Sequence, residues 1–141
     1  MAVTNSVLVN DGGAPARIIN LEAATAITAG MCLEVNGDGK LIGADTDNQL
    51  VAGFALVDAA AGALCSMITG SGCVLYVHLD GTTDIDAGVG LKVGEDGALI
   101  KRATVDDTAV AIALEAATDT SAIHANVALN GGVQLFKVLV K

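Results

Sequence analysis

Apolar and polar positions alternate along this chain in short bursts, and glycine-rich turns separate the bursts. Met31, Leu33 and Val35 alternate with Cys32 and Glu34, and Val89, Leu91 and Val93 alternate with Gly90 and Lys92. A period of two predicts half-buried strands. Asn36-Gly37-Asp38-Gly39 and Gly94-Glu95-Asp96-Gly97 follow these segments and lead into Leu41-Ile42 and Leu99-Ile100, so each place predicts a β-hairpin. Further strands are predicted over residues 51–57, 63–68, 73–79, 108–114, 122–129 and 133–140, the last two flanking the hairpin signal Asn130-Gly131-Gly132. Ala-rich pieces near 21–25 and 58–61 suit a helical turn, but no stretch carries the period of a long amphipathic helix. Many short strands with frequent turns predict an all-β fold, a small barrel or sandwich.

The pattern occurs twice. Residues 27–42 align with residues 85–100 at a constant offset of 58, with identities at Ile27/Ile85, Ala29/Ala87, Gly30/Gly88, Leu33/Leu91, Val35/Val93, Asp38/Asp96, Gly39/Gly97, Leu41/Leu99 and Ile42/Ile100. The same offset, ungapped, aligns residues 51–56 with 109–114. These matches predict a single β domain over residues 21–141 that contains an internal duplication (27–56 and 85–114). Residues 1–20 precede it as an arm plus a leading strand. Gly30 and Gly88 at the strand entries, with Gly39 and Gly97 in the turns, are the positions where a positive φ is expected, because glycine has no Cβ to clash.

Composition narrows the function. Of 141 residues 52 % are hydrophobic and 2 % aromatic, 17 are glycine, and 7 Lys and Arg against 16 Asp and Glu give a net charge of −9. An acidic chain with so few aromatic rings has neither the cationic footprint nor the stacking platforms of a nucleic-acid binder. Its high apolar content also argues against disorder. The uncharged stretch 59–79 is long enough to span a bilayer. It is broken by Gly62, Gly70, Ser71 and Gly72 and flanked by Asp58 and Asp80, and it reads as two buried strands joined by a turn, with no membrane partner. The first residues lack a basic start and apolar core, so synthesis and retention in a cytoplasm are expected. Cys32, Cys65 and Cys73 sit in apolar runs, odd in number, and read as reduced, buried small hydrophobes.

Catalytic patterns fail one by one. His78 shares a strand face with Val74 and Tyr76, His124 shares one with Asn126, and neither adjoins a Ser or Cys in an activating motif. Cys73 and His78 lack zinc-site spacing. The run Asp45-x-Asp47-Asn48 has Leu50 and Leu56 where a calcium loop needs Gly and Glu. Gly88-x-Gly90 has Val93 in place of the third glycine of a dinucleotide fingerprint. A biotinyl or lipoyl carrier would need Lys at a hairpin tip, where the second unit has Glu95-Asp96. The expectation is a non-enzymatic protein with no cofactor and no metal. The acidic charge reads first as a solubility device.

Ala26-Ile27-Thr28-Ala29-Gly30, a strand, Asn36-Gly37-Asp38-Gly39-Lys40-Leu41, an acidic loop, the segment 51–57 and the Ala-rich run to Gly62 together resemble tailed-bacteriophage capsid decoration (cement) proteins, in particular those similar to lambda-type head stabilisers. The resemblance spans residues 26 to about 129. It departs at Cys73, where a glycine would be expected, and in the C-terminal strand 133–140. It implies a β-tulip-like fold and a virion protein on the outer surface of an expanded icosahedral head. There it would stabilise the lattice of its partner, the major capsid protein, against internal DNA pressure. It also implies a homo-oligomer, with trimers favoured and two-fold dimers left open. Under this reading the arm supplies the capsid contacts, with Val3, Val7, Leu8, Val9 and Arg17 as candidates and a strand added to an exposed edge as the mode. The same architecture also suits a surface module for a ligand or glycan, although the scarcity of aromatics weighs against sugar stacking. A small hydrolase using His78 or His124 with a cysteine is a third reading.

Overall fold

The short alternating segments pair into two antiparallel sheets. The computed structural model describes residues 7–10, 17–45, 50–79, 85–94, 96–104, 108–116, 128–129 and 133–141. Every regular element among them is a strand: β1 (Leu8–Asn10), β2 (Arg17–Glu22), β3 (Cys32–Val35), β4 (Leu41–Gly43), β5 (Gly53–Ala55), β6 (Leu64–Thr69), β7 (Val74–His78), β8 (Gly90–Val93), β9 (Leu99–Lys101), β10 (Ala111–Ala113), β11 (Ala128–Leu129) and β12 (Val133–Val140). The first sheet has the order β2-β6-β5-β3-β4. The second has the order β1-β7-β12-β10-β8-β9, with β11 paired to β12. A shared core joins them as a small sandwich, so the fold is all-β.

The two sheets repeat one wiring. Strands β3, β4 and β5 fall 58 residues before β8, β9 and β10, and β2-β6-β5-β3-β4 maps strand for strand onto β7-β12-β10-β8-β9. The hydrogen bonds repeat as well. Gly30 N donates to Ala55 O at 2.8 Å as Gly88 N donates to Ala113 O at 2.8 Å, and Ala55 N to Met31 O matches Ala113 N to Val89 O, both 2.9 Å. The parallel bridge Ala23–Leu41 has its counterpart in Leu79–Leu99. Gly30 and Gly88 (φ 92° and 86°) and Gly39 and Gly97 (φ 77° and 80°) all take the left-handed backbone, which an L side chain resists.

Equivalent positions are buried in both sheets, in a separate cluster in the first and in the shared core in the second. Ile27, Leu33, Leu41, Cys65 and Met67 bury one face of the first sheet. Ile85, Leu91, Leu99, Phe136 and Val138 occupy the matching places in the second. The opposite face of the first sheet, with Cys32, Phe54 and Ile68, turns to the second sheet.

Several local expectations change. The segments 63–68 and 73–79 do form strands, but β6 and β7 belong to different sheets, so the Gly70–Gly72 turn is a crossover. Residues 21–22 continue β2, and Ala59 makes an antiparallel bridge with Ile27, so neither Ala-rich piece is helical. Glu34 was expected on an open strand face and is buried instead, because β3 is covered on both sides; its Oε2 accepts a hydrogen bond from Asp45 N at 3.4 Å. Of the strand expected over 122–129, residues 128–129 are seen as β11 and the remainder lies outside the described residues.

Candidate functional site

The junction between the sheets is built from backbone. The β8–β9 turn wedges into the base of the β3–β4 hairpin, where Cys32 N donates to Gly97 O (2.8 Å) and Gly97 N donates to Ala44 O (2.9 Å). A Cβ on Gly97 would lie 2.9 Å from Met31 Cε and 3.0 Å from Cys32 O, so close approach as well as φ demands glycine there. The equivalent first-unit tip is free: around the Cβ position of Gly39 no described atom lies within 4 Å. That tip is held by Asn36, whose Oδ1 accepts from Asp38 N (2.9 Å) and Lys40 N (3.0 Å).

His78 bolts the same junction. Its backbone N donates to Gly30 O at 3.0 Å, and its ring Nε2 lies 2.9 Å from Ala29 O. Ala29 N in turn donates to Asp58 Oδ1 at 2.8 Å. Burial lowers the His78 pKa, opposed by the Ala29 carbonyl and the Asp58 charge. Cys32, Cys65 and Cys73 are free and buried. Burial, helped by Glu34, pushes the Cys32 thiol up to about 12, and burial with Asp58 also raises Cys65. These two thiols are therefore held protonated at neutral pH, away from the nucleophilic thiolate form. Among the described residues no three His, Cys, Asp or Glu side chains come together as a metal site. His124 lies outside the described residues.

A cavity of about 440 Å³ has walls from both sheets, lined among others by Phe54, Ile68, Cys73, Leu75, Val110 and Val140. Its walls are mainly aliphatic, with Phe54 the ring among the named groups.

The arm residues are placed differently from one another. Val3 lies outside the described residues. Val7 is 1 % exposed, and its carbonyl accepts from Tyr76 N at 2.9 Å. Leu8 and Asn10 stand opposite Leu75 and Val74, so Leu8 and Val9 belong to a strand that extends the chain's own second sheet. Arg17 is exposed at the start of β2. The strand addition expected of the arm thus occurs within the molecule, on the edge of β7. Sequence periodicity gave no sign of this, because an edge strand's partner is set by tertiary structure.

The β2 edge is the counterpart of the β7 edge, and among the described residues nothing covers it. Ile18 and Ile19 are 53 % and 45 % exposed, and neighbouring Leu64 is 72 % exposed. Such an edge leaves a row of backbone groups able to pair with another strand.

No family model matches the sequence, and no curated protein matches it. The fold does have a counterpart among solved structures. It is similar to the N-terminal base of the head fiber protein gp8.5 of bacteriophage phi29, with a TM-score of 0.64 and 18 % identity, covering 90 % of this chain and 95 % of that one. At this identity the likeness is one of fold, and it extends over both sheets.

Proposed function

We propose that this chain is a non-enzymatic structural protein of a tailed-phage virion that attaches to the outside of the icosahedral head and stabilises the major capsid protein lattice against internal DNA pressure. The observation that carries the reading is the fold likeness, over 90 % of this chain, to the base of a phage head fiber. The decoration-protein pattern in residues 26–129 supports the same class independently. A two-sheet module with protonated, buried thiols and a histidine ring engaged by a backbone carbonyl fits a scaffold better than a catalyst. The protein would be made in the host cytoplasm and act on the virion surface. Many modest contacts on one particle would add up to a large stabilisation.

Sedimentation of purified protein with expanded and unexpanded heads tests the proposal. Binding to expanded heads, together with higher resistance of decorated heads to heat-induced DNA loss, is the expected result; failure to bind either form would sink it. Deletion of residues 1–6 leaves β1 in place and asks whether the start of the arm contributes: unchanged head affinity removes Val3 from the contact set. For the alternative, a ligand or glycan module, a signal on a glycan array with no head binding is the deciding result.

A further inference from the structure

We infer that the β2 edge is a self-association surface, through which two copies of this chain pair antiparallel across a two-fold axis to form one continuous sheet. The inference stands apart from head attachment and rests on the inequality of two equivalent strands. β7 and β2 hold the same place in their sheets, 56 residues apart as Leu75 and Ile19. On β7 the outer edge takes a strand, β1, in antiparallel register, which seals Val7 at 1 % exposure. On β2 the same edge is bare among the described residues.

Hydrogen-bond phase shows what the edge offers. Leu56 N donates to Ser66 O, so Ser66 faces β5, and Cys65, Met67 and Thr69 face β2. Their partners Leu21, Ile19 and Arg17 therefore use their backbone groups inward, while Ile18, Asn20 and Glu22 point theirs outward. Tyr76, the counterpart of Asn20, donates outward to Val7 in the same phase.

The sequence Arg17-Ile18-Ile19-Asn20-Leu21-Glu22 matches itself in this phase. An antiparallel copy centred on Asn20 sets Asn20 against Asn20, Ile18 against Glu22, and Ile19 against Leu21 twice. All three outward residues of both strands then find backbone partners. The two Ile19–Leu21 pairs fall on the face of Met67, beside the first core, against which Leu21 already packs. This converts half-exposed Ile19 into a cross-strand apolar contact. Such an interface is isologous and closes at two copies. The edge thus favours the two-fold alternative over the three-fold clustering that the family pattern implies.

The test is the mass of the full chain in sedimentation, with a register-specific cross-link. Wild type is expected to sediment as two copies. Asn20→Pro removes an outward N–H that makes no ladder bond in one copy, and Ile19→Lys places a charge at the contact; each is expected to halve the mass while the melting transition is kept. Ile19→Cys mixed with Leu21→Cys should give a disulfide-linked pair on mild oxidation, since non-hydrogen-bonded partners stand about 4.5 Å apart between Cα atoms. Neither variant alone should do so. A wild-type monomer, an oligomer indifferent to Asn20→Pro, or no cross-link in the mixture would overturn the inference. Head sedimentation of Asn20→Pro keeps the two proposals distinct, because attachment can persist without pairing and pairing without attachment.

Discussion

The two halves of this molecule are wired alike and finished differently. The first sheet buries Cys65 and Met67 where the second buries Phe136 and Val138, and among the described residues it leaves its hairpin tip at Gly39 free where Gly97 is wedged and its outer edge open where β1 covers the other. A repeated fold fixes the positions of strands and turns. What occupies those positions decides whether a face becomes interior, junction or surface. The first unit thus presents its tip and edge outward, while the second unit's equivalents are used to hold the chain together.

Substitutions at paired positions would break this comparison most sharply in the cores. Phe136→Ala should cost about 3–5 kcal/mol by large-to-small truncation. Cys65→Ala, at the matching place, removes one heavy atom and should cost about 1 kcal/mol. Urea titrations of both variants measure the gap, and equal losses would mean that the two positions contribute alike despite their different side chains. At the tips, Gly39→Ala meets only the backbone penalty, about 1 kcal/mol. Gly97→Ala adds the clash with Met31 and Cys32, a further ~1–3 kcal/mol. Denaturant midpoints that shift equally for the two would show that the Gly97 wedge is not tight.

The junction should also respond to acid. His78 titrates below its ordinary value of 6.5 in the folded chain, so the unfolded chain takes up its proton first as pH falls. The contribution of His78 is then level above pH 6.5 and declines below it as pH falls towards the folded-state value. Thermal melts between pH 8 and about 5 should show this slope, and His78→Gln should flatten it. The smallest effect belongs to the first unit's own surface. Glu22 and Lys40 pair at 2.9 Å with side chains 43 % and 41 % exposed, and Lys40→Ala should change stability by less than about 1 kcal/mol.

Much of this was legible in the chain itself. The turns at Asn36–Gly39 and Gly94–Gly97, with alternating residues on either side, specify hairpins by local chemistry, and β12 has the bounds expected for the last strand. Pairing across the molecule was not legible. Nothing near Gly70 says that β6 and β7 part into separate sheets, and nothing in Val7-Leu8-Val9 says which edge it covers, because both depend on partners far along the chain. Glu34 misled for a related reason: alternation assumes one open face, and over Cys32–Glu34 β3 has none. Ile18 and Ile19 became a candidate surface only once β2 was found at an edge with an occupied twin.

The cysteines acquire a use from where the fold puts them. Cys65 lies in the first core, Cys32 on the face between the sheets, and Cys73 just after the crossover turn, all shielded from solvent. A thiol reagent reaches Cys32 and Cys65 only when their surroundings open, whereas Cys73 lines the cavity, so the rates at the first two positions in the native state report the opening free energy of their layers. One time course, followed peptide by peptide, would therefore show whether the first core or the junction comes apart first, with no engineered label.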